Sequence, residues 1–187
     1  MNTTTPTKKI LVIHHSADFD GIFSREIAKK FLGETADYIG WDYGEKPIPM
    51  PAEGIVYIID LSPECLAETQ GGETVPHWDR IIWIDHHKSA IEKFFPGIPG
   101  YRIDGVAACR LAWQWFSLME ATPNPEQFAL PDKQHFFDRQ VQEPYAVRLA
   151  GEYDIWDKRD PNADVFQMGL RSCDISEKYV GADACSD

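Results

Sequence analysis

The stretch KKILVIHHSADFDG, residues 8–21, decides the fold. Lys8 to His14 is a continuous apolar run of strand length, the pattern of a strand covered on both faces. The run stops abruptly at polar residues. From Asp20-Gly21 through Leu32, Ile22, Ile27, Ala28, Phe31 and Leu32 recur at roughly helical spacing, and Gly33 supplies the stop. The unit is strand, loop, helix, with His14, His15, Asp18 and Asp20 gathered where the first element passes into the second.

Two later runs repeat the design. Gly54 to Asp60 (GIVYIID) and Arg80 to Asp85 (RIIWID) are β-branched and aromatic runs that terminate in an aspartate. A further strand fits Ala36 to Trp41, and the prolines of the following YGEKPIPMPAEG forbid a central strand there. Helices are expected at Pro63 to Thr69, Ser89 to Phe95 and Ala107 to Met119, the last apolar enough to be covered on most sides. After a proline-containing break between Ala121 and Pro131, a final helix is expected over about Asp138 to Trp156, running toward Asp154; beyond Asp157 the chain reads as irregular. We expect a flexible N-terminus over 1–7, one domain over 8–172 and a polar tail over 173–187. Alternating elements with doubly apolar strands imply an α/β fold: a doubly wound, mainly parallel sheet flanked by helices, with right-handed crossovers. In such sheets ligands sit beyond the carboxyl ends of the strands, so parallel strands deliver their terminal acids to one common edge.

Bulk properties narrow the function. With 187 residues, 43% of them apolar, the chain can bury a core, and its apolar runs are too short to cross a bilayer, so no membrane partner is expected. The start MNTTTPTKK has no apolar h-region behind its lysines beyond the short ILVI run, so export is not expected, and Cys65, Cys109, Cys173 and Cys185 form no CxxC pair, which fits free thiols in a cytoplasmic protein. A net charge of −12 argues against long duplex nucleic acid. An anionic substrate needs local help from divalent cations or a few placed basic side chains.

The candidate chemistry lies in four clusters. His14, Asp18 and Asp20 are spaced to converge from one loop; Asp60 lies in IIDLSP, Asp85-His86-His87 follows the third strand, and Asp154 lies in EYDIWD. Taken singly, Asp20 or Asp60 is more often a helix cap, and Asp154 could be a solvent-facing acid. Their recurrence at one edge weakens that reading. Carboxylates with imidazole and no thiolate suit Mn²⁺, with Mg²⁺ as the other choice. Two divalent ions would offset four carboxylates, activate a water and clamp a phosphoester for in-line hydrolysis. Trp113, Trp115 and Trp156 are expected to pack in the core.

These motifs together resemble the DHH phosphoesterases: HHSADFDG their first motif, IIDLSP the second, IDHHKS the third and GEYDIWD the fourth, in the family's order over Lys8 to about Asp157. The family includes RecJ-type exonucleases, oligoribonucleases, dinucleotide phosphodiesterases and manganese-dependent inorganic pyrophosphatases. The resemblance implies that His14 and Asp18 bind one Mn²⁺, that Asp20, His86 and Asp154 bind the other, and that Asp60 bridges them. It further implies that His87 contacts the scissile phosphate while Asp85 orients the histidine pair. His15 has no counterpart, and Asp154 is preferred to Asp157 because it follows the apolar helix directly.

The usual second domain, with a glycine-rich phosphate-binding segment, has no match after Asp157. The cleft is then open, lined by residues 158–187, or completed by a partner subunit in a homo-oligomer. His87, Lys88 and Arg159 head the substrate-binding candidates, with Arg110, Lys158 and Arg171 behind them. The expected function is metal-dependent hydrolysis of a small phosphate ester such as a short oligonucleotide or dinucleotide. The alternatives are phosphoanhydride cleavage of pyrophosphate or polyphosphate, and a non-catalytic metal-binding or regulatory module.

Overall fold

In the computed structural model, which describes residues 10–67, 78–121 and 129–173, the apolar runs become the strands of one parallel sheet. Its strands are β1 (Ile10–His15), β2 (Ala36–Trp41), β4 (Ile55–Ile59), β6 (Ile81–Asp85) and β7 (Gly100–Arg102), in the order β2-β1-β4-β6-β7. Every adjacent pair is parallel. From β1 the chain passes through helix α1 (Phe19–Leu32) to β2 on one side, then returns to β4 on the other side of β1. The order therefore reverses between β1 and β4, which is where an open α/β sheet leaves a crevice at its carboxyl edge. The short β3 (Ile48–Pro49) and β5 (Leu66–Ala67) pair only with each other, so the proline-rich connector stays out of the main sheet as expected.

Neighbouring residues of each strand serve opposite faces. Val12, Tyr57, Ile59 and Ile84 pack against α1, α3 (Ala108–Ala121) and α5 (Tyr145–Asp154), through Ile27, Ala28, Leu111, Phe116, Val147 and Ala150. Ile13, Val56, Ile58 and Trp83 face the other way, toward Ala90 of α2 (Lys88–Lys93) and toward Leu61 and Ile98. The sheet is thus covered on both sides, as a doubly wound α/β fold requires, and each large apolar side chain fully buried this way contributes about 1.5–3 kcal/mol.

Several elements depart from the sequence reading. The expected helix over 138–156 is two: α4 (Lys133–Phe137), then α5. Arg139 takes a left-handed φ of 54°, and Pro144 at the N-cap of α5 removes a donor and bars its predecessor from helical geometry. The region after Asp157 contains a helix, α6 (Asn162–Ser172), whose face is so thinly apolar that Val165 and Met168 stay exposed. The helix expected from Pro63 is a single 3-10 turn, Pro63–Cys65, followed by β5; its last two residues, 68 and 69, lie outside the described residues. The three-residue β7 carried too little pattern to be read. Of the expected flexible segments, 1–7 and 174–187 lie outside the described residues. No described helix is long and apolar enough to cross a membrane.

Two ion pairs brace α5, one fully buried at the segment just before it and one part-buried within it. Arg110 of α3 meets Glu143 at 2.6 Å, and Arg139 meets Glu152 at 3.0 Å. Gly151 makes room for the first, since a Cβ there would lie 2.7 Å from the Arg110 side chain.

A candidate metal centre where the strand order reverses

β1 ends in His15, and α1 begins almost at once. A Cβ on Gly21 would stand 2.1 Å from the His15 carbonyl oxygen, so only glycine lets the helix start this close to the strand end. That proximity folds Asp18 and Asp20 back over the sheet edge. Asp18 is the N-cap of α1, accepting from Gly21 N at 2.9 Å, and its other oxygen lies 2.7 Å from His15 Nδ1. Asp20 caps a different helix: its two oxygens accept from Ala108 N and Cys109 N, each at 2.8 Å, at the start of α3. Burial and the nearby Asp60 charge push the Asp20 carboxyl up to about 7.

Asp60 follows β4 directly and occupies the centre. Its φ of 62° lies in the left-handed region that few residues other than glycine adopt without strain. The side chain is 1% exposed, and neither carboxylate oxygen has a hydrogen-bond partner among the described residues. Oδ2 lies 3.5 Å from His15 Nδ1, and Oδ1 lies 3.4 Å from His86 Nε2 and 3.9 Å from His87 Nδ1. Asp85, at the end of β6, is fully buried; its Oδ1 accepts from the backbone N–H groups of His86 and His87 and from His87 Nδ1 at 2.7 Å. That contact raises the His87 imidazolium pKa. Asp154, the last residue of α5, brings Oδ2 to 3.4 Å from His86 Nε2, and burial together with the Asp20 charge lifts it to about 7.

Three sets of donors lie within 4.8 Å of one another: His15, Asp18 and Asp60; Asp20, His86 and Asp154; and Asp60, His86 and His87. Asp60 belongs to two of them, as a residue between two cations would. A buried, unsatisfied carboxylate is expensive unless a cation or donor meets it. The oxygen and imidazole donors, without thiolate, fit hard or borderline divalent ions.

The expected ligands Asp18, Asp20, Asp60, His86 and Asp154 come together here; His14 does not. β1 continues one residue further than expected, and strand alternation turns His14 toward the α1 side while His15 faces the acids. The His14 ring packs beside Gly40 of β2, with Nδ1 2.8 Å from the His15 carbonyl, and burial lowers its pKa to about 4. The doubled histidine was the available signal. Asp157 is not in the cluster either: it pairs with Arg159, whose guanidinium also reaches the Phe137 carbonyl. Lys88 is exposed near Glu92, Arg110 is buried on Glu143, Lys158 pairs with Asp164, and Arg171 lies over the Tyr153 ring. Trp156 is 74% exposed rather than in the core, because it follows the end of α5 at a φ of 57°.

No family model and no curated protein matches this chain. Among solved structures it is similar to the crystal structure of an uncharacterized protein from Helicobacter pylori G27, with a TM-score of 0.56 and 14% identity over 88% of this chain. The matched part is 49% of that protein, so this chain spans about half its length. The likeness is one of fold, the doubly wound α/β sheet.

Proposed function

We propose that the chain is a two-metal phosphohydrolase of the DHH phosphoesterase kind, cleaving an ester of a small phosphate substrate such as a short oligonucleotide or dinucleotide. The observation that carries this reading is Asp60: buried, held in a strained backbone conformation, and without a hydrogen bond to either oxygen between two sets of imidazole and carboxylate donors. His15, Asp18 and Asp60 would hold one divalent cation, and Asp20, His86 and Asp154 the other. Two such ions, Mn²⁺ or Mg²⁺, would supply a water of lowered pKa and neutralise charge on the phosphate when bound.

The rest is done by side chains. His87 gives Nδ1–H to Asp85 and keeps Nε2 for the substrate. The Asp85 hydrogen bond raises its pKa and so favours the protonated ring. It can then bind a phosphate oxygen and give its proton to the ester oxygen that departs as the water oxygen bonds to phosphorus. Asp85 fixes the ring and its tautomer. With the basic residues of this region paired elsewhere, the cations and His87 carry the neutralisation.

The test is turnover of a dinucleotide, an aryl phosphodiester and pyrophosphate by the full chain, with Mn²⁺ and with chelator. Mn²⁺-dependent ester cleavage lost in Asp60→Asn is expected. Cleavage of pyrophosphate alone would replace the ester reading by the phosphoanhydride one, and metal binding without turnover would leave a regulatory module.

A further inference from the structure

A cavity of about 350 Å³ opens beside this cluster, lined by Tyr43, Ser62, Glu64, His87, Lys93 and Phe94 among others. It is joined to the cluster at two points. His87 lines the cavity and also lies 3.9 Å from Asp60. The Tyr43 ring stands edge-on to His15 at 5.9 Å, while its hydroxyl accepts from Ser62 N at 3.4 Å. The cavity thus adjoins the cluster through Tyr43, beside His15, and through His87, beside Asp60.

We propose that this cavity is the subsite for the organic group esterified to the phosphate, a single uncharged ring-bearing unit of nucleoside size; the inference rests on the phosphohydrolase reading. Three features select that chemistry. The volume is at the small end for ligand pockets, which limits the occupant to one unit. Tyr43 and Phe94 supply aromatic surface for stacking: Tyr43 is 46% exposed, and Phe94 is half-buried, T-shaped to Trp83 and with Lys93 Nζ 5.0 Å from its ring centre. Ser62 is 4% exposed, and its Oγ has no hydrogen-bond partner among the described residues, a buried hydroxyl that a ligand donor or acceptor would satisfy.

Charge points the same way. Lys93, which lines the cavity, pairs with Glu64 at 2.8 Å, so apart from His87, which meets the phosphate being cleaved, the described lining offers no unpaired cation to a second phosphate. An uncharged ring fits this lining, and the second half of a pyrophosphate does not.

The test uses a probe that needs no metal: adenosine titrated into the metal-free 187-residue chain and followed by heteronuclear NMR. Saturable shifts at Tyr43, Ser62 and Phe94 are expected, with affinity falling about 10-fold in Phe94→Leu, a loss within the range for one stacked base. Ser62→Ala, a smaller change that keeps the fold, is expected to weaken binding as well. Pyrophosphate with Mn²⁺ should not displace the nucleoside. Absence of saturable binding, binding insensitive to both substitutions, or displacement by pyrophosphate would overturn the subsite. Adenosine binding in a chain that shows no Mn²⁺-dependent turnover would instead count against the phosphohydrolase reading and leave the subsite standing.

Discussion

Asp20 accepts a hydrogen bond at 2.8 Å from the backbone N–H of Cys109, a residue 89 positions away. The same carboxylate faces His86 Nε2 at 3.6 Å. One side chain therefore ties the first helix to the third and serves the cluster as well.

Asp20→Ala strands the N–H groups of Ala108 and Cys109 inside the protein, whereas Asp20→Asn keeps an acceptor and removes a charge that repels Asp60. In chelator, the alanine variant should be less stable than the asparagine variant by about 1–2 kcal/mol. Urea unfolding of the two variants measures the difference; equal midpoints would remove the capping role.

Gly21→Ala should be severe for a residue so small. The new Cβ meets backbone, the His15 carbonyl at 2.1 Å, which no rotamer change relieves. A loss of about 2–3 kcal/mol is expected, as for overpacking elsewhere, with weaker Mn²⁺ uptake because α1 must move away from β1. Thermal unfolding and metal titration of one variant check both.

His15 and His14 should separate cleanly. His15→Gln is expected to weaken Mn²⁺ binding by at least about 10-fold, as loss of a metal-site partner does. His14→Gln should leave the affinity close to that of the parent chain, since the His14 ring faces Gly40 and not the acids. Calorimetric titration of both variants decides; the reverse ranking would put His14 back among the ligands.

The pH dependence should change sign with the ion. Contact with Asp18 raises His15 to about 11; against the effect of burial, Asp60, Asp20 and Asp154 raise His86 to about 10; and Asp20 and Asp154 sit at about 7. Each folded value lies above the unfolded one, so these groups hold more protons in the folded chain, and ion-free stability falls as pH rises from about 6.5 toward 10. A divalent ion takes the deprotonated forms, so its stabilisation grows over the same range. Melting temperatures at about pH 6.5 and about pH 8.5, in chelator and in Mn²⁺, should diverge with pH; parallel curves would count against ligation by these groups.

The parallel strands and the edge to which they deliver Asp60 and Asp85 were legible from the long doubly apolar runs that end in acid, whereas the order of the strands came only from the structure. The split of 133–154 into two helices was less so: a periodic pattern passes through the turn at Arg139, and Pro144 was the sign to heed. The site was legible as a set of residue types at one edge. What could not be read was the choice between His14 and His15, which depends on where β1 stops, and a one-residue difference in a strand moves a side chain to the other face. Nor does any local pattern announce that Asp20 would cap α3 or that Tyr43 would reach His15, since both contacts join distant segments.

The two ion pairs that brace α5, Arg110 with Glu143 and Arg139 with Glu152, bear on how quickly the proposed centre would be loaded. Asp154 projects from the final turn of that clasped helix, so the freedom it must lose is given up during folding and not at the moment of capture. On the two-metal reading, an arriving ion would meet a receptor already shaped, and uptake should be limited by diffusion and desolvation rather than by rearrangement of the chain.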